Sequence, residues 1–430
     1  NIALTYLNCG YNQITSLDLS NNIALTYLNC GYNQITSLDL SNNIALTYLN
    51  CGYNQITSLD VSNNNQLISL ECEANNLNSL NLTNITTLHS LKCYYNQLSL
   101  LDISNNPGLD YLDCGNNILD TLNLSNNIAL THIGCYNNQL SSLDISNITT
   151  LTNLLCGGNQ LTNLDVSNNI NLSYFNCSIN PITSIDLSNN TNLVYLNCGL
   201  TQISYLYLHN NLDLETLDCS VNQLTSLSLY NNLSLKYLYC GNNLLSSLNL
   251  TPLDSLKELH CFSNFISELD LSNNSSLCRL DCSNNQLNCL NVKNGNNMHM
   301  CLFLADQNPN LDCIEVDDPM YSNNVWATTF NYPYNIDPFA SFSSYCANPC
   351  SLNNINEIQT TSNIYPNPAH DYTIIEVSEY PTQLYLIDLQ GKIVFNDEIR
   401  QSIYRMDVSS FEKGIYILKI GKQGSKLAVK

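Results

Sequence analysis

At 430 residues the chain has room for more than one domain, and its 35 acidic side chains against 13 basic ones give a formal net charge of −22. Such a surface repels phosphate backbones and excludes nucleic acid as a partner. No stretch approaches the roughly 18 to 20 consecutive apolar residues that a membrane-spanning helix requires.

Residues 1–21, NIALTYLNCGYNQITSLDLSN, recur letter for letter over residues 22–42, and again over residues 43–63 apart from Val61. Cysteine marks the same place in every turn from Cys9, Cys30 and Cys51 through to Cys282, without insertion. A period this strict implies a stacked solenoid rather than globular domains. The chain opens in mid-pattern, with neither an initiator Met nor a polar cap, so a preceding segment is expected and the missing leader says nothing of localisation.

Within a turn the apolar positions follow Leu4, Leu7, Cys9, Ile14, Leu17 and Leu19. They form two nested LxxLxL runs, each alternating like a short strand, and helix should be scarce. Three residues after each cysteine stands an amide, from Asn12 and Asn33 to Asn285, broken once by Thr201. Buried amides need partners, so this column is expected to bond the turn backbone and the Asn of the next turn, with a softer turn at Thr201. A second polar column, Asn21, Asn42, Asn63 and onward, fails at Pro252.

The pattern LxxLxCxxNxIxxLxL with Asn after each strand resembles the leucine-rich-repeat family, in its short nested irreko form, over about residues 1–300. Cysteine stands where the family usually has its third leucine. The resemblance implies a parallel-sheet solenoid whose exposed strand face binds proteins or glycans.

Alternation turns Cys9 and its equivalents inward with Leu7, where a free thiol acts as a small hydrophobe. Packing is therefore the expected role. A metal site would need clustered ligands, catalysis a unique thiol beside a base, and disulfides between turns a different rotamer. Six further cysteines, Cys278, Cys289, Cys301, Cys313, Cys346 and Cys350, break the period where the repeats end. Residues 311–346, with the single Trp326, resemble the C-terminal caps of secreted Bacteroidetes repeat proteins. That likeness implies a cover for the last turn's open core; Cys313 with Cys346 is the favoured disulfide there, with a reactive thiol as the alternative.

Beside the cysteine strand the outward column carries Tyr6, Tyr27, Tyr48, Tyr111, Tyr174, Tyr195 and Tyr237, with Tyr11, Tyr32, Tyr53 and Tyr95 alongside. Tyrosine among asparagines suits recognition, and these seven are the expected ligand-binding residues. Cross-strand Tyr pairs that only stabilise the sheet are the alternative. On the second run, Asp18, Asp39, Asp60, Asp102, Asp144, Asp165, Asp186 and Asp270 point outward. They read as solvated carboxylates eased by hydroxyls such as Ser16 and Ser37, with a bridging calcium ion as the alternative. Glu71 and Glu73 share an outward face and read as solvated too. The six histidines share no column, and no GxSxG, HExxH, P-loop or dinucleotide fingerprint is present, so no enzyme and no cofactor are expected.

Residues 347–362 read as a polar linker. After them the short alternating runs TIIEV, LYLIDL, KIVF, YRMDV and IYILKI, split by Gly, Pro and Asn turns, predict a small antiparallel β-sandwich. The features Tyr365, Pro366, Asn367 and Pro368, then Asp388, Gly391 and Lys392, then Gly414 to Ile420 with Tyr416, and the closing KLAVK resemble the type A C-terminal sorting domain of the type IX secretion system. That implies export by the type IX machinery across a Bacteroidetes-type outer membrane, ending in release or surface attachment. An adhesive Ig-like module is the alternative for this tail.

The expected architecture is mainly β: a leucine-rich-repeat parallel β-solenoid (1–300), a cap (301–346), a linker (347–362) and a small antiparallel β-sandwich (363–430). The expected function is that of a secreted or surface-attached monomer binding a protein or glycan. A repetitive spacer without a ligand is the second reading.

Overall fold

In the computed structural model the described residues are 1–326, 335–350, 363–365, 369, 371–377, 380–388, 392–420 and 423–429. They divide into two compact units, Asn1–Cys350 and Ser351–Lys430. No helix among them is long and apolar enough to cross a membrane.

The first unit is a parallel solenoid. Each 21-residue turn contributes one three-residue strand, beginning with Tyr6–Asn8, Tyr27–Asn29 and Tyr48–Asn50, to a 15-stranded sheet. Register follows the repeat, so Tyr6 faces Tyr27, Leu7 faces Leu28 and Asn8 faces Asn29. Three residues suffice because the central one is buried while its neighbours face out. The stacked Leu28, Cys30, Ile35 and Leu40 columns then form one continuous core with their equivalents in the turns that follow. The last strand of this sheet, Leu302–Leu304, pairs in parallel with Arg279–Asp281, so stacking continues past residue 300.

The second apolar run forms strands only near the end, as Glu268–Asp270, Cys289–Asn291, Cys313–Glu315 and Ser341–Ser343 in a four-stranded parallel sheet. Earlier turns keep the inward leucines, as at Leu38 and Leu40, without a ladder. Alternation there records burial and not strand pairing, which corrects the reading of two strands per turn.

Three amide ladders join the turns. Asn33 Nδ2 donates to Cys9 O and Cys30 O at 3.0 Å, and its Oδ1 accepts from Ile14 N–H at 2.9 Å. Its partners are thus backbone groups of two turns, and not the amide of the next turn as expected. At the break, Thr201 Oγ1 reaches Cys198 O and Asn222 Oδ1, and no side chain accepts from Ile182 N–H. The second lies one residue beyond the Asn21, Asn42 and Asn63 column, which makes a third, exposed ladder through bonds such as Asn168 Nδ2 to Ser146 O at 3.0 Å. Asn43 is fully buried, with Nδ2 donating to Asn22 O (2.9 Å) and Leu19 O (3.2 Å), whereas Asn42 is exposed. Ile85, Ile148 and Leu253 replace the amide in that column and are equally buried.

At the C-terminal end three disulfides tie the last turns, Cys278–Cys301, Cys289–Cys350 and Cys313–Cys346. Trp326 is fully buried there, stacked on Phe303 at 4.5 Å with Phe342 against its edge. The short helix Pro319–Val325 that leads to Trp326 starts on the Asp318 carboxylate, which accepts from Met320 and Tyr321 N–H.

The second unit has two antiparallel sheets. One joins Asn363–Tyr365, Tyr372–Glu376 and Ile403–Asp407, and the other Ile393–Ile399, Thr382–Ile387, Gly414–Ile420 and Gln423–Val429. Ile375 and Met406 from the first share a core with Leu384, Leu386 and Leu418 from the second.

Candidate functional site

The inward cysteine column carries little chemistry. Cys30 to Cys282 are buried free thiols, and burial pushes the Cys30 thiol up to about 12. A thiol held neutral is a poor nucleophile and metal ligand.

The outward tyrosines form files. Tyr6, Tyr27 and Tyr48 stack at 4.3 and 4.4 Å, Tyr11, Tyr32 and Tyr53 at 4.3 and 4.1 Å, and Tyr174 on Tyr195 at 4.0 Å. Tyr111 stacks on His132 at 4.3 Å, while Tyr237 lies in register between Thr216 and Glu258. Ring faces inside a file are covered by the neighbouring ring, leaving edges and hydroxyls for solvent.

The column two residues after the Cys30 class holds Tyr32, Tyr53, Tyr95, Ile179, Leu200 and Val221 with φ of 53° to 55°. This left-handed backbone normally favours Gly or Asn, and a bulky side chain there costs about 1 kcal/mol or more.

The aspartate column serves the turns. Asp18, Asp39, Asp60, Asp102, Asp144 and Asp165 each accept through Oδ1 from the N–H of a serine two residues on, at 2.9 to 3.0 Å. Those serine contacts hold the six carboxyls below the usual range. The relieving serines are Ser20 and its equivalents, and not Ser16 or Ser37. Asp186 accepts from Ser188 N–H in the same way. Among the described residues no three His, Cys, Asp or Glu side chains are grouped to hold a metal ion.

A denser group lies on the strand face of residues 43–147, where the outward columns depart from the repeat. Glu71 Oε2 accepts from Asn50 Nδ2 (2.6 Å) and Tyr48 OH (3.1 Å), and Glu71 Oε1 from Lys92 Nζ (2.8 Å). Lys92 also sits 5.9 Å over the Tyr111 ring. Glu73, expected to be solvated, is only 5% exposed. It occupies the column of Gly10, Gly31 and Gly52, and folds back so that a Cβ on Gly52 would meet its Cδ at 2.7 Å. Tyr94, next in that column, reaches across the Glu73 turn to put its hydroxyl 3.4 Å from Tyr53 OH. Asp113 is 8% exposed, accepts from Gly115 N–H at 3.1 Å and leans on Gly134.

Burial pushes the Glu73 carboxyl up to about 7 and that of Asp113 up to about 6. Burial likewise lowers His132, whose Nε2 has no partner, and Glu73 Oε2 has none either. The outward seven tyrosines are thus brought together only in part: Tyr48 and Tyr111 belong to this group, Tyr6 and Tyr27 extend its file, and Tyr174, Tyr195 and Tyr237 lie further along. The signal for the group was a carboxylate in a glycine column.

In the second unit Tyr365 ends a strand, and Lys392 N–H donates to Asp388 Oδ1 at 2.8 Å. Gly414 opens a strand against Val429, and the buried Tyr416 donates its hydroxyl to Glu412 O at 2.8 Å. Pro366, Asn367, Pro368 and Gly391 lie outside the described residues.

Residues 2–43 match the family model of leucine-rich repeats, and residues 363–430 that of the secretion system C-terminal sorting domain. The chain carries leucine-rich repeats and a type IX sorting domain. This leucine-rich-repeat chain is similar to the functional domain of InlJ from Listeria monocytogenes, described as including a cysteine ladder. The two share 25% identity at a TM-score of 0.71, covering 100% of this chain and 91% of that one. An LRR protein of Leptospira interrogans aligns at 20% identity and a TM-score of 0.57, over 78% of this chain and 95% of its own, which speaks for the fold alone. YopM from Yersinia enterocolitica aligns at 28% identity and 0.55, over 66% of this chain and 65% of its own. No curated protein matches the chain. The sorting domain makes this leucine-rich-repeat protein a secreted or outer-surface one.

Proposed function

We propose that the protein is an exported binding protein whose strand face engages a partner protein, and that residues 43–147 hold the contact. One observation carries the reading: the buried apolar columns keep to Leu, Ile, Val, Phe or Cys, whereas this stretch of the face exchanges the Asn and Gly of the first turns for Glu71, Glu73, Lys92, Tyr94, Asp113 and Tyr136. Repetition serves the fold, and departure from it on the exposed side serves recognition. A protein fits this group better than a sugar, because its Tyr48 ring is stacked on Tyr27 and its Tyr111 ring lies between His132 and Lys92. Catalysis has no support in this group, which lacks a nucleophile paired with an oriented base.

The test is to screen the secreted full chain against arrays of purified extracellular proteins and glycans, beside the variant Y111A/Y136A. A protein bound by the wild type and lost by the folded variant supports the reading; equal capture by both, or glycan binding alone, defeats it.

The spacer reading draws on the first three turns, whose continuous tyrosine files stabilise the sheet by cross-strand contact. It predicts that adhesion depends on the number of such turns and on no face residue.

A further inference from the structure

The tyrosine files hold phenols face to face on a secreted or outer-surface protein. Ring planes are 11° and 5° apart along Tyr6, Tyr27 and Tyr48, 9° and 8° along Tyr11, Tyr32 and Tyr53, and 0° between Tyr174 and Tyr195. Parallel strands in register set like atoms over like atoms, as where Tyr6 pairs with Tyr27 and Tyr174 with Tyr195. The Tyr27 hydroxyl accordingly lies against those of Tyr6 and Tyr48, that of Tyr32 against those of Tyr11 and Tyr53, and that of Tyr174 against that of Tyr195. The carbons ortho to each hydroxyl are then neighbours too. Tyr6 (57% exposed) and Tyr11 (76%) open the files to solvent, whereas the thiols Cys30 to Cys282 behind the sheet are buried, so an oxidant in solution meets the phenols first.

We propose that these files are oxidative cross-linking sites, where a haem peroxidase with hydrogen peroxide joins tyrosines of successive turns through their ortho carbons. Each phenol of a pair gives up one proton and one electron to become a phenoxyl radical, and the two electrons and two protons reduce one peroxide to two waters. At Tyr48 the proton has an acceptor in place, since the hydroxyl donates to Glu71 Oε2 at 3.1 Å. Phenoxyl spin sits partly on the ortho carbon, in an orbital perpendicular to the ring, so the new carbon–carbon bond forms across stacked faces. Each joined carbon then loses its hydrogen as a proton, each ring oxygen takes one up, and aromaticity returns. Rings already 4.0 to 4.4 Å apart need little motion to reach that bond. Stacking, and not exposure, selects the pairs. Tyr230 and Tyr345 are 74% and 72% exposed but lie outside the files, Tyr94 meets Tyr95 at 67°, and Tyr111 stacks on His132, which has no phenol. Such links need no bound partner, so they stand apart from the binding role above.

The test treats the full chain, mixed with an equal amount of 15N-labelled chain, with a haem peroxidase and limiting hydrogen peroxide. Dityrosine is read by its fluorescence, and its position by mass spectrometry after cleavage before aspartate. That cleavage puts Tyr6 in residues 1–17, Tyr27 in 18–38, Tyr174 in 165–185 and Tyr195 in 186–212, so a link between turns joins two fragments. The expected products are 1–17 joined to 18–38 and 165–185 joined to 186–212, each from one chain and at least about tenfold above any link made by Tyr230 or Tyr345. Y195F keeps a ring in the stack but removes a phenol, and should abolish the second product while leaving the first; Y230F should leave both. Far-ultraviolet dichroism verifies that the variants are folded. Absence of dityrosine overturns the proposal, as does survival of the second product in Y195F. Links that follow exposure to Tyr230 and Tyr345, or that join labelled to unlabelled chains, mean unselective surface oxidation and overturn it too.

Discussion

Glu73 and Gly52 occupy the same column of successive turns, and the glutamate lies where a Gly52 side chain would be, 2.7 Å from its Cβ. Tyr136 over Gly115 (2.5 Å) and Phe262 over Gly241 (2.7 Å) repeat the arrangement. Glycine is needed here for space beneath the next turn and not for backbone freedom. G115A should therefore destabilise the solenoid by about 1–3 kcal/mol through overpacking. Y136A in the same chain should return part of that loss. Denaturant melts of the two single variants and the double one measure the coupling, and additive losses would sink the account.

Thr201 leaves the first amide ladder short at one turn, because a hydroxyl cannot replace an amide that donates to two carbonyls and accepts from Ile182 N–H. T201N should restore those bonds and add about 1 kcal/mol. A rise in melting midpoint, with slower amide exchange at Ile182, is the expected reading.

The pH response of stability has two opposed parts. For Glu73 and Asp113 the folded carboxyls titrate at about 7 and about 6, above their ordinary values, so their contribution is present in acid and fades as pH rises towards 7. The Asp18 class is held low, so its contribution is present at neutral pH and fades only below the ordinary carboxylate range. Melting curves at pH 5 and pH 8 should show E73Q/D113N gaining on the wild type at pH 8 and not at pH 5.

Buried thiols such as Cys30 stay neutral in the fold up to about 12 but ionise near 9 once exposed, so stability should fall as pH rises through that interval. Ellman's reagent should find the column cysteines silent in the native protein and reactive after unfolding in guanidinium. Fast native labelling of most of them would refute the packing role.

The Asp Oδ1 atoms are engaged by serine N–H groups, so millimolar Ca2+ is expected to leave the melting temperature where EDTA leaves it. A clear upward shift would restore the calcium alternative.

What was legible in the sequence followed from period. A buried position admits few side chains, so Leu4, Leu7 and Cys9 recur and betray the strand, its register and the stack. The covered Asn43 column was passed over because Asn42 beside it recurs more faithfully, and only packing says which amide is covered. Glu73 was misjudged because alternation describes a strand, and position 73 lies beyond the strand Ser69–Glu71, where the next column begins to fold over its neighbour. The left-handed column was invisible for the opposite reason: Tyr, Ile and Val stand where a sequence reader looks for Gly or Asn.

All three disulfides fall between Cys278 and Cys350, at the end of the solenoid that precedes the sorting domain in sequence. Such bonds do not persist in a reducing cytoplasm. In the cytoplasm, then, the turns nearest the sorting domain in sequence are held by packing alone. Oxidation beyond the cytoplasm turns that same end into the one disulfide-bolted part of the repeat stack, a latch set by the change of compartment.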